Sequence, residues 1–175
     1  MPRRTSTKSS ATPGGLGTGR AARDLVLVVT PGGLDQRGGM GSVVRTLYAG
    51  WLPSDTTLSL EVVDSWSHEW RLGFVPRSLL TLLAALGRVI GARLGGRLAI
   101  VHVHMAGGGS LPRKALFIGL GRALGARIVV HSAAADLDTF WERLPGIGRR
   151  LVRLTLRRAD AVVALGRYWQ IFFRD

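Results

Sequence analysis

Five short apolar runs, Leu25 to Thr30, Leu58 to Asp64, Leu98 to His104, Arg127 to Ser132 and Ala161 to Leu165, punctuate the chain, and stretches of helical spacing separate them. Runs of this length without polar alternation suit strands buried on both faces, which is the habit of parallel sheets. Parallel neighbours need long right-handed crossovers, and the intervening helices supply them. The pattern therefore predicts an α/β fold in which a parallel sheet carries helices on both faces.

The helical stretches have their own stripes. Ser42 to Leu52 places Val44, Leu47 and Trp51 on one face, and Leu79, Leu83, Leu86, Ile90 and Leu94 line up on a second helix. A third starts at Ser110 as N-cap with Pro112 in its first turn, shares Leu116, Leu120 and Leu124 on one side, and stops at Gly125. The fourth, Arg149 to Ala159, stacks Arg149, Arg153 and Arg157 opposite Leu151, Leu154 and Thr155. The expected fold is a single Rossmann-like domain, and with strand order 3-2-1-4-5 its crevice opens where the loops after the first and fourth strands diverge.

A chain of 175 residues with 46% hydrophobic and 20% charged residues can build one ordinary core. Residues 24–166 are assigned to that domain, and 167–175 read as the start of a linker to a further domain. Residues 1–23 carry five basic residues and no acid among Ser, Thr, Gly, Pro and Ala, as in a flexible basic tail, without the apolar middle of a secretory signal. The most apolar stretch, Ser78 to Leu94, is interrupted by Arg88 and Arg93 and is too short for a membrane span. The chain has no cysteine, which removes disulfides and thiolate metal sites and is compatible with a cytoplasmic location. No metal or cofactor is expected.

The run Leu25 to Thr30 leads into Pro31-Gly32-Gly33-Leu34-Asp35-Gln36-Arg37-Gly38-Gly39-Met40-Gly41, a glycine-rich strand-to-helix loop. Unsubstituted backbone before a helix N-terminus offers free N–H groups to an anion, so a phosphate-bearing ligand is the first expectation. A dinucleotide turn fits only in part. Gly39-x-Gly41-x-x-Val44 lacks the third glycine and the loop is long, although Asp64 stands where a ribose acid would.

Of the histidines, His102 and His104 are read as pointing to opposite faces of the third strand, hence not as a metal pair. His104, beside Gly107-Gly108-Gly109, is the cleft candidate, and His102 a core histidine. Trp66, Trp70 and Trp141 are read as packed against the core.

Further pieces share an order and spacing. They are Ile100-Val101-His102-Val103-His104 closing the third strand, Ser110-x-x-Arg113-Lys114 opening a helix, Val129-Val130-His131-Ser132, Asp136-Leu137-Asp138-Thr139-Phe140, and Arg158-Ala159-Asp160-Ala161-Val162-Val163-Ala164-Leu165. Together with the glycine loop they resemble, over about residues 24 to 170, the N-terminal, acceptor-side domain of GT-B fold retaining glycosyltransferases of the large bacterial family-four type. The resemblance implies half of a GT-B fold. It implies transfer of a sugar from a nucleotide-sugar donor to a glycan or lipid-linked acceptor, without a metal. Gly38, Gly39, Met40, Gly41 and Ser42 would approach the donor phosphates. His104, Gly108, Ser110, Arg113, Lys114 and Asp136 would lie on the acceptor side.

Two features depart from the family pattern. The family commonly ends the fourth strand with a second His two residues after the position of His131, and here that position is Ala133, which leaves His131 as the catalytic candidate. The family's paired glutamates, with seven residues between them, belong to a C-terminal domain, and Glu61 and Glu69 match that spacing only by coincidence. The isolated chain is accordingly expected not to turn over. A dinucleotide- or nucleotide-binding module and a non-catalytic scaffold derived from a glycosyltransferase stay open as alternatives.

The net charge of +13, nearly all from arginine, bears on partners. Arg143, Arg149, Arg150, Arg153, Arg157 and Arg158, with the basic tail, could form a cationic face toward an anionic membrane surface at the inner leaflet, or a solvated helix face. Nucleic-acid binding has charge in its favour and none of its usual motifs.

Overall fold

The apolar runs pair side by side as parallel strands. In the computed structural model, which describes residues 24–51, 58–66, 74–105, 110–132 and 137–174, the strands are β1 (Asp24–Thr30), β2 (Leu58–Asp64), β3 (Leu98–Met105), β4 (Arg127–Ser132) and β5 (Ala161–Val163). They are joined by α1 (Gly39–Trp51), α2 (Phe74–Leu94), α3 (Leu111–Ala123), α4 (Leu137–Arg143) and α5 (Gly146–Leu156), and α6 (Arg167–Phe172) follows β5. All four pairings are parallel. The fold is thus α/β and Rossmann-like, and no helix among the described residues is long and apolar enough to cross a membrane.

The strand order is β2-β1-β3-β4-β5, not the expected 3-2-1-4-5. Alternating strands and helices look the same in a sequence whichever way each crossover travels. Here β1 runs to β2 in one direction, whereas β3, β4 and β5 add in the other. The switch point, where ligands gather in such sheets, therefore lies between the carboxyl ends of β1 and β3.

Register divides the side chains between two faces. Leu25, Leu27 and Val29 of β1, Val101, Val103 and Met105 of β3, and Ile128 and Val130 of β4 form one core with Ala85 and Val89 of α2 and Phe117 and Ile118 of α3. Leu156 of α5 and Trp169, Phe172 and Phe173 of the C-terminal segment pack against it, so the stretch read as a linker includes a helix whose aromatics rest on the domain. The opposite face carries Val26, Val28, Ile100, His102, His104, Val129 and His131, with Val44 of α1 buried outside the first cluster.

Three stripes differ from expectation. In α2 the buried residues are Ser78, Ala85 and Val89, while Leu79 is 52% and Leu94 84% exposed. In α3 they are Lys114, Phe117, Ile118 and Gly121, and Leu116 faces outward. In α5 Val152 is buried, and Leu151 and Leu154 are exposed with Ile147. Small residues explain the choice in α2, and in α3 Gly121 lets the helix axis approach the sheet beside the large buried Lys114, Phe117 and Ile118. A Cβ at Gly121 would lie 2.8 Å from Ile128 Cδ1 and 3.0 Å from Val101 Cγ2.

Candidate functional site

The glycine loop is shorter than expected because α1 begins at Gly39 rather than Ser42. A 3-10 turn over Gly33–Asp35 fills its middle, and Gly32, Gly33 and Gly38 have φ of 74°, 56° and 89°, values a side chain resists. At Gly41 the constraint is contact instead: an added Cβ would overlap the Gln36 carbonyl. The Arg45 guanidinium donates to the carbonyls of Gln36 at 2.7 Å and Leu34 at 3.3 Å, which clamps the loop to its own helix. Asp64, at the end of β2, accepts the amides of Gly32 at 2.7 Å and Trp66 at 2.8 Å. Both bonds end on Oδ1, so Asp64 organises the loop through one carboxylate oxygen.

Of the proposed phosphate segment, Met40 turns its side chain into the loop, whereas Ser42 is exposed and bonds along its own helix. Met40 Sδ accepts from Thr30 Oγ1 at 3.7 Å and Gln36 Nε2 at 3.5 Å, and Ser42 Oγ accepts from Arg45 at 3.3 Å. In the first turn Gly39 is exposed, Met40 half-buried and Gly41 buried. The first bond of α1 runs from the Ser42 amide to the Gly38 carbonyl at 3.1 Å, so the amides of Gly39, Met40 and Gly41 form an open first turn, and a Cβ at Gly39 would meet nothing within 4 Å.

Across the switch point stand the histidines. His102 and His104 share a face, contrary to the expectation of opposite faces, because side chains alternate with period two and residues two apart point the same way. His131 on β4 pairs in register with His104. The ring centroids are 4.9 Å apart for His102 and His104, 4.7 Å for His104 and His131, and 5.7 Å for His102 and His131. Each ring offers a nitrogen, and these three nitrogens lie within 4.8 Å of one another. His104 is fully buried with neither ring nitrogen hydrogen-bonded, and His102 Nε2 is likewise buried without a partner. Burial, helped by repulsion from His131, pushes His102 down to about 4; burial, with His102, His131 and Lys114, pushes His104 to about 3. Burial also lowers His131. All three rings are neutral at pH 7.

No protein-family model, curated protein or solved structure matches this chain.

The acceptor-side candidates separate. Lys114 is 1% exposed and reaches beneath the carboxyl edge, where Nζ donates to Ser65 Oγ at 2.9 Å and Val29 O at 3.4 Å. Burial, reinforced by Arg113 and opposed by Asp64, draws it down to about 7. Arg113 lies over the Trp66 ring at 3.8 Å, and that indole is half-buried. Ser110 is buried at the start of α3. Gly108, Ala133 and Asp136, and also Trp70 and Glu69, lie outside the described residues. Glu61 pairs with Arg88 of α2 through two bonds of 2.8 Å, an ordinary strand-to-helix ion pair.

A second concavity went unread in the sequence. Between α4, α5 and α6, Phe140, Trp141, Val152, Leu156, Phe172 and Phe173 line a cavity of about 270 Å3, with Arg153, Arg157 and Arg174 also on its walls. It lies apart from the glycine loop and the histidines. Arg149 is not part of a free cationic face, since it donates to the carbonyls of Trp141, Glu142 and Leu144.

Proposed function

We propose that this domain forms the acceptor-side half of a glycosyltransferase that moves a sugar from a nucleotide-sugar donor to a glycan or lipid-linked acceptor. The observation that carries the reading is the open first turn of α1, held by three left-handed glycines and the Gly41 contact at the switch point of the sheet. Backbone amides fixed in this way can stabilise the charge that develops on a departing nucleoside diphosphate. His131, half-buried beside His104, is the candidate polar group nearest the reacting sugar. Equilibrium dialysis against a panel of labelled uridine, guanosine and adenosine diphosphate sugars tests the reading. Gly39→Asp, which has room for its side chain, should weaken the best ligand at least about fivefold by placing a carboxylate against its phosphates. Equal affinity in the two proteins, or no retention of any donor, would reject it.

A membrane-borne acceptor is favoured by α5. Ile147, Leu151 and Leu154 are exposed along a helix that also carries Arg150 and Arg153, the combination that lies in a lipid interface. The arginine-walled aromatic cavity beside it would suit an anionic amphiphile, its apolar part among the rings and its charge at the rim. Flotation with liposomes should show association with anionic vesicles that falls with salt and is lost in the Ile147→Ser, Leu151→Ser, Leu154→Ser triple variant. Equal association with neutral vesicles would remove the membrane from the account.

A further inference from the structure

From the convergence of His102, His104 and His131, we propose that this chain binds one divalent transition-metal ion of the zinc class on the α1 face of the sheet. Two of the imidazoles sit two residues apart on β3, and the third stands in register with one of them on β4, so a strand pair delivers all three to one point without help from a loop. Their nitrogens lie within 4.8 Å of one another, against about 3.4 Å for tetrahedral imidazoles bound at about 2.1 Å, a gap that side-chain torsions can close.

The chemistry of the donors selects the metal. Among the described residues the cluster offers three imidazoles and no carboxylate, and the chain has no cysteine, a set that suits zinc, cobalt or nickel and not calcium or magnesium. The burial of His104 with both ring nitrogens unsatisfied is the independent observation, because such a group normally has a partner. A metal ion supplies one. Three protein ligands leave a tetrahedral ion one position for water or an anionic oxygen, and the half-buried His131 marks the side from which it would enter. The inference rests on the geometry of the triad and not on the glycosyl-transfer reading, and it reassigns His131 from the polar group nearest the sugar to a metal ligand.

The test uses the full chain, stripped with chelator and titrated with Zn2+ by calorimetry and with Co2+ by visible absorption. Expected are one ion per chain and the ligand-field bands of a four- or five-coordinate cobalt site. The chain has 4 histidines, so His68→Asn serves as the control and should bind unchanged, whereas His131→Asn should bind about 100-fold more weakly or not at all. Imidazole nitrogen spectra of the unaltered chain provide a readout that does not depend on any variant folding. Zinc should shift three rings and leave the fourth in place. Four unshifted rings, absence of stoichiometric binding, or undiminished binding by a folded His131→Asn protein would overturn the proposal.

Discussion

At position 41 a single methyl group decides whether the loop can close, since the Gln36 carbonyl occupies the space a Cβ would need. Gly41→Ala is expected to cost about 1–3 kcal/mol, read as a lowered thermal midpoint. Gly39→Ala, two residues earlier in open space, should be neutral or slightly stabilising. Equal losses at both positions would mean that helix propensity, not contact, governs the loop. Lys114 makes a second residue-scale prediction. Below about pH 7 its ammonium is charged in the folded and unfolded chain alike, and the cost of burying it is present in full. Between about 7 and the ordinary 10.5 the unfolded chain keeps a proton that the folded chain has released, so stability rises with pH across that window. The groups that bear on it are Arg113, Asp64 and His104, and the other lysine is Lys8. Chemical denaturation from pH 7 to about 9.5 should show a gain on the order of 1 kcal/mol per pH unit, and Lys114→Met should flatten it. A flat profile in the unaltered chain would contradict the buried ammonium. The sequence held a sign of this burial, because Lys114 falls on the stripe of Phe117, Ile118 and Gly121, but a charged residue argues against choosing that stripe.

Helices α2 and α3 were legible as helices and not as oriented surfaces. Both are apolar around most of their circumference, so Leu79, Leu83, Ile90 and Leu94 satisfy the helical period as well as Ser78, Ala85 and Val89 do. Hydrophobicity alone ranks the leucine stripe first. In α2 close packing reverses the ranking, because small residues bring more backbone within contact distance of the sheet than large ones, and in α3 only Gly121 plays that part. Gly121→Ala tests this at the α3 contact: with Ile128 and Val101 already within 3.0 Å of the new atom, it should cost about 1–3 kcal/mol in chemical denaturation. An unchanged midpoint would show that α3 can retreat from β3 and β4 without penalty. The exposed leucines of α2 and α5 follow from the same choice of faces, which left the larger side chains outside. At α5 the consequence is a cationic and apolar surface, whereas the sequence suggested a cationic one alone.

For the whole molecule, alternation of strands and helices sufficed to read the parallel sheet and its class, because that alternation has few compact solutions. The direction of each crossover has no period and left no trace in the apolar runs, so the order β2-β1-β3-β4-β5 emerged only from the strand pairings. The change moves the crevice from the β1 and β4 loops to the β1 and β3 loops, and so puts His104 rather than the β4 loop directly across from Gly39 to Ser42. His102 and His104 share a face by the period-two alternation of a strand, a rule that the expectation of opposite faces misapplied, and the β3–β4 pairing adds His131 in register with His104. In the glycine loop Met40 turns inward and Ser42 is exposed beside Arg45, so the proposed ligand contact falls to the backbone amides of the first turn. The central claim is that these amides receive a nucleoside diphosphate. Amide nitrogen–proton spectra of the full chain, recorded as uridine, guanosine or adenosine diphosphate is added to several millimolar, test it most directly. Saturable shifts of the Gly39, Met40, Gly41 and Ser42 amides, smaller with the corresponding nucleoside, are expected; amides that stay in place while only the arginine-rich α5 responds would contradict it.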